Sequence, residues 1–261
     1  MDPKPLDAQT LATWREHGVV VLRDAVSAER QAELRAWAEE LEAWPETPGA
    51  WMKYFEPGAD RRLCRVENFL PHHAGLRALF GSDALEAWLR ELIGDAPRVF
   101  KDKINFKLPG GDGFTAHQDA PAFAQFGQRY HVTVMLGVDA TTVANGCLEL
   151  VYGRAPERLL DQAPDGTLAP GVVAELDWRP LETAPSDVVI FDSYLPHRSG
   201  PNRSAGARRA FYVTYNRARD GDVREAYFAR KRRAFPPECE RDPDAPADPD
   251  AALFNLGNPI N

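Results

Sequence analysis

Apolar residues recur at helical spacing in the first third of the chain and at strand-like spacing afterwards. In the first third they predict a helix that ends at Gly18, a second from Ser27 to about Trp44, and a third from Ser82 to Gly94. The apolar run 19–22 predicts a strand directly after the first helix. We therefore expect a mostly helical N-terminal part over residues 7–95.

From residue 98 onward the apolar period is two, and short runs are separated by Gly, Pro and Asn. These runs predict strands at 98–108, 130–138, 147–151, 172–176, 187–191 and 209–215. Many short strands without intervening helices are typical of a β-sandwich or barrel and not of βαβ units.

The chain after Asn216 is predicted to form a helix to about Phe235, followed by a Pro- and Asp-rich surface segment at 236–249. The apolar pair Leu253 and Phe254 is expected to hold the end of this segment against the body of the protein. The whole chain, 1–261, is predicted to be one domain. Its parts would be the helical region at 7–95, a β core at 98–216, and the helix and tail at 217–261.

The composition is that of a globular protein of 261 residues, with 44% hydrophobic and 27% charged residues. A net charge of −8 argues against nucleic acid or an anionic membrane as the main partner. The longest apolar runs are too short to span a bilayer, and no apolar export signal opens the chain. Three widely spaced cysteines match neither a zinc site nor a disulfide framework, so we expect a cytoplasmic protein. The oligomeric state stays open.

A candidate metal site begins at His117-Gln118-Asp119, which follows a strand and a glycine-rich break. In an extended segment residues i and i+2 point the same way, so His117 and Asp119 can reach one metal. The motif alone has low specificity, and a third ligand must come from a strand adjacent in space. His197, directly after the apolar run at 188–191, is the candidate. Two imidazoles and one carboxylate form the facial triad that holds ferrous iron in oxygenases.

Arg208 is the candidate anchor for an anionic co-substrate. It shares one strand face with Ala210, Tyr212 and Thr214, and a guanidinium that faces a cavity needs an anion. Arg209 lies on the opposite face and is expected to be solvated.

The runs 114–119, 145–149, 187–191 and 197–208, together with the opening segment 14–22, resemble the phytanoyl-CoA dioxygenase family. Members are iron- and 2-oxoglutarate-dependent oxygenases with a double-stranded β-helix, or jelly-roll, core. The resemblance implies a mainly β fold with flanking helices, with Fe(II), 2-oxoglutarate and O2 as cofactor and co-substrates. The family's halogenating relatives have a small residue in place of the carboxylate, so Asp119 indicates hydroxylation.

The resemblance also implies a role for individual residues. His117, Asp119 and His197 would be the iron ligands. Arg208 would pair with the distal carboxylate of 2-oxoglutarate, and Ser199 would add a hydrogen bond. Lys103 and Met135 fall where the family lines the co-substrate pocket.

The strand at 100–108 gives the best indication of the substrate. Lys101, Lys103, Asn105 and Lys107 share one face, which predicts a cationic pocket for a small carboxylate or phosphonate if that face lies inside. Alternatively, only Lys103 and Asn105 lie inside and the other two lysines are solvated. Further candidates for substrate contact are His131 and Gln118, although His131 would equally suit a hydrogen bond within the core. The loop at 120–129 is predicted either to cover the metal or to be an ordinary surface loop.

The predicted function is hydroxylation of a small polar or anionic metabolite with release of succinate and CO2. Three alternatives stay open: a cupin-like metalloenzyme that does not use 2-oxoglutarate, a non-catalytic jelly-roll protein, and an acyl-CoA hydroxylase. The last is less favoured because Lys231-Arg232-Arg233, the one short basic run, is expected to be a solvated helix face and not a site for CoA phosphates.

Overall fold

Two antiparallel β-sheets form the centre of the protein. The computed structural model describes residues 5–58, 60–153, 157–246 and 248–260. Its strands are β1 Val19–Leu22, β2 Met52–Phe55, β3 Leu63–Glu67, β4 Pro97–Lys107, β5 Phe114–His117, β6 His131–Gly137, β7 Leu148–Val151, β8 Trp178–Leu181, β9 Val188–Asp192, β10 His197–Ser199 and β11 Arg208–Arg217. Its helices are α1 Ala8–His17, α2 Ala28–Ala43, α3 Ala74–Phe80, α4 Asp83–Ile93, α5 Ala120–Phe123, α6 Pro170–Glu175, α7 Arg224–Ala234 and α8 Ala251–Phe254.

The strands form a seven-stranded sheet in the order β1-β9-β6-β11-β4-β3-β2 and a four-stranded sheet in the order β5-β10-β7-β8. Every strand pair is antiparallel. The mainly β architecture with flanking helices is therefore as predicted. The division into one domain stays a prediction.

Local signals explain the ends of the N-terminal helices. Asp7 accepts a hydrogen bond from the Thr10 amide before α1, and Ser27 accepts one from the Arg30 amide before α2. Gly18 and Gly94 end α1 and α4 with φ of 69° and 68°, a left-handed conformation that suits glycine. The predicted helix boundaries are confirmed at these positions.

The N-terminal helices pack on the outer face of the seven-stranded sheet. Apolar side chains from α1 to α4 and from the sheet form one buried cluster there, which includes Trp14, Leu34, Leu85, Ile104, Val134, Ile190 and Phe211. Its apolar area supplies much of the hydrophobic stabilisation of the fold. The inner face of the same sheet is turned toward the four-stranded sheet and has a different composition.

Several predicted elements differ from the structure. The strand predicted at 172–176 is wrong, because Pro170 opens the short helix α6 over this run and the strand comes later, as β8. The strands β2 and β3 and the helix α3 were not predicted. The helix predicted after Asn216 begins only at Arg224, after a turn of 3-10 helix at Ala218–Asp220.

The end of the chain returns to the body of the protein, as predicted. Phe254 is buried in a cluster with Tyr227 and Phe228 of α7. The prediction that Lys231 belongs to a solvated face is wrong, since Lys231 is 1% exposed and its Nζ lies 2.6 Å from Glu67. Among the described residues, no helix has the length and apolar character needed to cross a membrane.

Candidate metal centre

The three predicted metal ligands lie close together where β5 ends and the neighbouring strand β10 begins. His117 ends β5 and His197 begins β10, and the two residues are directly paired across the sheet. Asp119 follows two residues after His117, at the start of α5. Their ligand atoms all lie within 4.8 Å of one another, and all three side chains are buried. The geometry therefore allows one ion to touch all three side chains.

Main-chain hydrogen bonds fix the orientation of both imidazole rings. Nδ1 of His117 lies 2.6 Å from the Thr115 carbonyl, and Nδ1 of His197 lies 3.0 Å from the Leu195 carbonyl. A carbonyl oxygen can only accept a hydrogen bond, so each Nδ1 carries the proton and each Nε2 has a free lone pair. Nε2 of His117 lies 3.9 Å from Asp119 Oδ1, which places the lone pair on the side of the carboxylate.

Burial and neighbouring charges set the protonation states that a metal needs. Burial, with His197 close by, lowers the pKa of His117 to about 3, and burial also lowers the pKa of His197. Burial by itself raises the pKa of Asp119, but Lys101, His197 and Lys103 outweigh it and hold that pKa below its usual value. Two neutral imidazoles and one carboxylate are the forms that bind a divalent cation, so the donor set fits Fe(II).

A small cavity lies beside the three ligands, between the two sheets. Its wall contains the three ligands and four further predicted site residues: Lys103, Asn105, Ser199 and Arg208. Tyr212, Thr133, Phe114, Leu148, Phe191 and Arg198 complete the lining. The structure thus brings seven of the predicted residues around one space.

Arg208 is a buried cation at one end of this cavity. It is 2% exposed, and its guanidinium donates to the Tyr212 hydroxyl at 2.8 Å. Its Nε has no hydrogen-bond partner, and no carboxylate in the described part of the chain forms an ion pair with it. Because a buried guanidinium without an anion is costly, this end of the cavity is suited to bind a carboxylate.

Lys107, for which the sequence left both a buried and a solvated position open, is buried near Arg208. Its Nζ donates to Ser199 Oγ at 2.8 Å and to the Gly200 carbonyl at 2.5 Å. Burial, with the nearby charge of Arg208, lowers the pKa of Lys107 to about 7. Lys107 therefore lies behind the cavity wall and contacts it through Ser199, which lines the same cavity as Arg208.

The charged face of β4 lies inside the protein, so the first of the two alternatives is the observed one. Lys101 and Lys107 are both buried. The Lys101 ammonium lies 4.6 Å from the centre of the Phe123 ring, and that of Lys103 lies 5.4 Å from the centre of the Tyr212 ring. Neither lysine forms a hydrogen bond or an ion pair with any residue that the structure describes. Burial lowers the pKa of both lysines.

Three charged residues near the cavity were not identified from the sequence. Arg65 on β3 donates to Asn105 Oδ1 at 3.1 Å and to Glu67 at 3.0 Å, and Glu67 is also paired with Lys231 of α7. The run 63–67 alternates in the way a half-exposed strand does. That alternation could have identified the strand. It would have placed the polar face of the strand in solvent, however, whereas this face is buried inside the protein.

Four predicted site residues do not line the cavity, namely Lys101, Met135, His131 and Gln118. Met135 lies next to it in an apolar cluster with Tyr212 and Val189. His131 bonds Gln128 at 2.8 Å and packs against aromatic rings. The amide of Gln118 is used by main-chain groups of the surrounding loops, namely Leu160 N, Arg158 O and Tyr194 O. For His131 and Gln118 these contacts indicate a structural role in place of substrate contact.

The buried triad, the cationic cavity and the two antiparallel sheets define a metal-dependent jelly-roll oxidoreductase. The chain belongs to the phytanoyl-CoA dioxygenase family, whose model matches residues 14–210. This result favours the oxygenase over the cupin-like and the non-catalytic alternatives that the sequence left open.

Named relatives are similar over nearly the whole chain. A 2-aminoethylphosphonate dioxygenase of the uncultured bacterium HF130_AEPn_1 is 47% identical, with 95% of both chains covered. A methylphosphonate hydroxylase of Gimesia maris is 39% identical, with 86% of both chains covered. Among solved structures, EctD from S. alaskensis in its apoform superposes with a TM-score of 0.72 at 20% identity, covering 84% of this chain and 80% of that one. The last similarity confirms the predicted jelly-roll fold.

Proposed function

We propose that this protein is an Fe(II)- and 2-oxoglutarate-dependent dioxygenase that hydroxylates a small phosphonate. One observation carries the substrate class: the charges on and around the cavity are unbalanced. Among the described residues, seven basic side chains lie there against three carboxylates, namely Arg65, Lys101, Lys103, Lys107, Lys231, Arg198 and Arg208 against Glu67, Asp119 and Glu149. Burial lowers the pKa of the four lysines, and a bound anion would favour their protonated form, so this interior is suited to anionic ligands.

His117, Asp119 and His197 would hold the iron. Bound there, the iron would supply activation of O2 for oxidative decarboxylation of 2-oxoglutarate and oxidation of the substrate. The chain's own contribution is orientation, since the Thr115 and Leu195 carbonyls keep both Nε2 lone pairs toward the ion.

The end of the cavity at Arg208 would bind the distal carboxylate of 2-oxoglutarate. The guanidinium can form two parallel hydrogen bonds to a carboxylate, and Ser199, which accepts a hydrogen bond from Lys107, lies on the same wall. The apolar cluster that contains Met135 lies beside this part of the cavity.

The substrate anion would then lie nearer to Lys101 and Lys103, whose ammonium groups contact aromatic rings but form no hydrogen bond or ion pair with the described residues. A phosphonate carries up to two negative charges in a small volume and so matches this cationic surface better than a monocarboxylate. Similarity to enzymes named for 2-aminoethylphosphonate and methylphosphonate supports the same class. The three cysteines are free thiols, which supports a cytoplasmic location.

The test compares phosphonates with their carboxylate counterparts. We expect 2-aminoethylphosphonate or methylphosphonate to stimulate succinate release with Fe(II), 2-oxoglutarate and O2, and to gain one oxygen by mass. The matched compounds 3-aminopropanoate and acetate are expected to have little effect. Stimulation by the carboxylates alone would contradict the phosphonate assignment.

The metal assignment is tested by Asp119→Ala, which removes the charged ligand. We expect substrate-coupled succinate release to fall by more than about 100-fold, because even partners of metal ligands contribute 10- to 100-fold. The control is Asp177→Ala, which removes a carboxylate that is 74% exposed. Full coupled turnover by the Asp119 variant would show that this carboxylate is not a ligand.

A further inference from the structure

The segment 254–260 lies against the open edge of the four-stranded sheet, beside the strand that carries His117. In that sheet β5 is the terminal strand and pairs only with β10. Main-chain groups at an open edge need other partners when they are buried. The Thr115 amide finds one outside the sheet, since it donates to the Gly257 carbonyl at 2.8 Å.

Gly257 also lies directly against the His117 ring. Its φ is +67°, and a Cβ placed on it would lie 2.6 Å from His117 Nδ1 and 2.8 Å from the Thr115 carbonyl. That carbonyl is the acceptor that fixes the proton on His117 Nδ1. One glycine backbone therefore contacts both the imidazole and the group that orients it, and no side chain fits there.

The segment is anchored on two sides of this contact. Phe254, Leu256 and Ile260 are buried in the aromatic cluster around α7. Between them, Asn258 accepts a hydrogen bond from Arg65, the arginine that also bonds Asn105 in the cavity wall. Its own amide group donates to the Leu256 carbonyl at 2.9 Å, which closes a tight turn around Gly257.

We propose that residues 254–260 are a strap that positions His117 for metal binding, with Gly257 as its positioning residue. The inference rests on the proposed function only in that His117 holds a divalent metal. Groups that orient a ligating imidazole typically change metal affinity by 10- to 100-fold. The strap acts on His117 through the Thr115 main chain and through direct contact with the ring.

The test is metal affinity, measured on the full chain without turnover. Gly257→Ala is compared with Gly94→Ala, whose φ of 68° imposes the same backbone strain but whose new Cβ would meet nothing within 4 Å. In anaerobic titrations followed by Co(II) absorption, we expect Gly257→Ala to bind Co(II) about 10-fold more weakly than wild type. Gly94→Ala is expected to stay within twofold of wild type.

A second variant covers the case in which Gly257→Ala folds poorly. Asn258→Ala leaves the space beside His117 unchanged and removes the anchor on Arg65, so we expect a several-fold loss of Co(II) affinity. Asn258→Asp keeps the acceptor oxygen for Arg65 but loses the donor to the Leu256 carbonyl, so it is expected to restore part of the binding. Wild-type affinity in both Gly257→Ala and Asn258→Ala would overturn the strap. A wild-type protein that binds no Co(II) would instead overturn the metal site of the proposed function.

Discussion

Two lysines with the same exposure, 8%, lie on opposite faces of the seven-stranded sheet and have opposite surroundings. Lys53 of β2 faces the helices, and its ammonium donates to the carbonyls of Glu42 and Trp44 at 2.9 and 2.7 Å. Lys101 of β4 lies on the inner face, against the rings of Phe123 and Tyr227, and its ammonium has no hydrogen bond or ion pair within the described residues. The ammonium of the outer lysine is hydrogen-bonded by its own chain, whereas that of the inner one contacts only aromatic rings within the described residues.

The same contrast holds for two adjacent arginines of β11. Arg209, on the outer face, forms hydrogen bonds to Asp139 at 2.9 and 3.0 Å. Arg208, on the inner face, has no carboxylate partner in the described part of the chain. Burial is therefore a poor guide to function in this sheet. A buried charge whose partner is absent from the fold is the more informative signal.

The largest expected effect separates these two arginines. Arg208→Ala is expected to raise the KM for 2-oxoglutarate by about 100-fold or more, because truncating one partner of a buried charge pair costs about 2–5 kcal/mol. Contrary to the prediction, Arg209 is not solvated, since its side chain is 12% exposed. Arg209→Ala removes its ion pair with Asp139 on the outer face, away from the cavity, so the KM should stay within about twofold of wild type. Steady-state kinetics at varied 2-oxoglutarate measures both values.

The stability of the same two variants, without ligand, sharpens the comparison. Arg208→Ala removes a buried cation that lacks an anion and is expected to leave the unfolding free energy unchanged or higher. Arg209→Ala leaves the largely buried Asp139 carboxylate without its partner and is expected to lower the unfolding free energy. Equal KM values for the two variants would remove Arg208 from the co-substrate site.

The second effect concerns the two lysines. Lys101→Met is expected to raise the KM for the phosphonate by about tenfold, since hydrogen bonds to charged groups contribute about 1.5–3 kcal/mol. Lys53→Met leaves two carbonyls without a donor and is expected to cost about 1–3 kcal/mol of stability, with an unchanged KM. Kinetics and denaturant unfolding of both variants test this, and a KM effect confined to Lys53→Met would contradict it.

The third effect is a pH dependence of the unfolding free energy that arises from Lys107 on the inner face of the sheet. Burial lowers the folded-state pKa of Lys107 to about 7, below its usual 10.5, so above about pH 7 the folded state binds fewer protons than the unfolded state. The unfolding free energy should therefore rise with pH in this range, by up to about 1.4 kcal/mol per pH unit from this group. Lys107→Met should flatten the rise in denaturant titrations without ligand. A fall in stability between pH 7 and 8 would show that the lysine is not destabilised by burial.

The smallest effect is on the outer face. Ile104 of β4 is fully buried in the cluster under the helices, so Ile104→Val is expected to lower the unfolding free energy by about 0.5–1.5 kcal/mol. Its KM values should match those of wild type, because the side chain points away from the cavity. A changed KM would mean that the two faces of the sheet are coupled.

Local patterns in the sequence predicted the long central strands of the seven-stranded sheet. The period-two runs that became β4, β6, β9 and β11 were identified with shifts of a few residues. The pattern failed at 172–176, where Pro170 starts a helix over residues that suit a strand, and at 63–67, where a buried charged face was indistinguishable from a solvated one. For short runs, tertiary context overrides local propensity.

The sequence by itself determined the helix ends, the strand faces and the fact that His117 and Asp119 point to the same side. Helix caps and the two-residue period of a strand depend only on residues close together in the chain. Only the tertiary structure decided that the lysine face of β4 lies inside, that Glu67 meets Lys231, and that Gly257 rests on His117. Each of these contacts joins residues far apart in the chain. Such contacts depend on how sheets, helices and the final segment pack together, which no local period records.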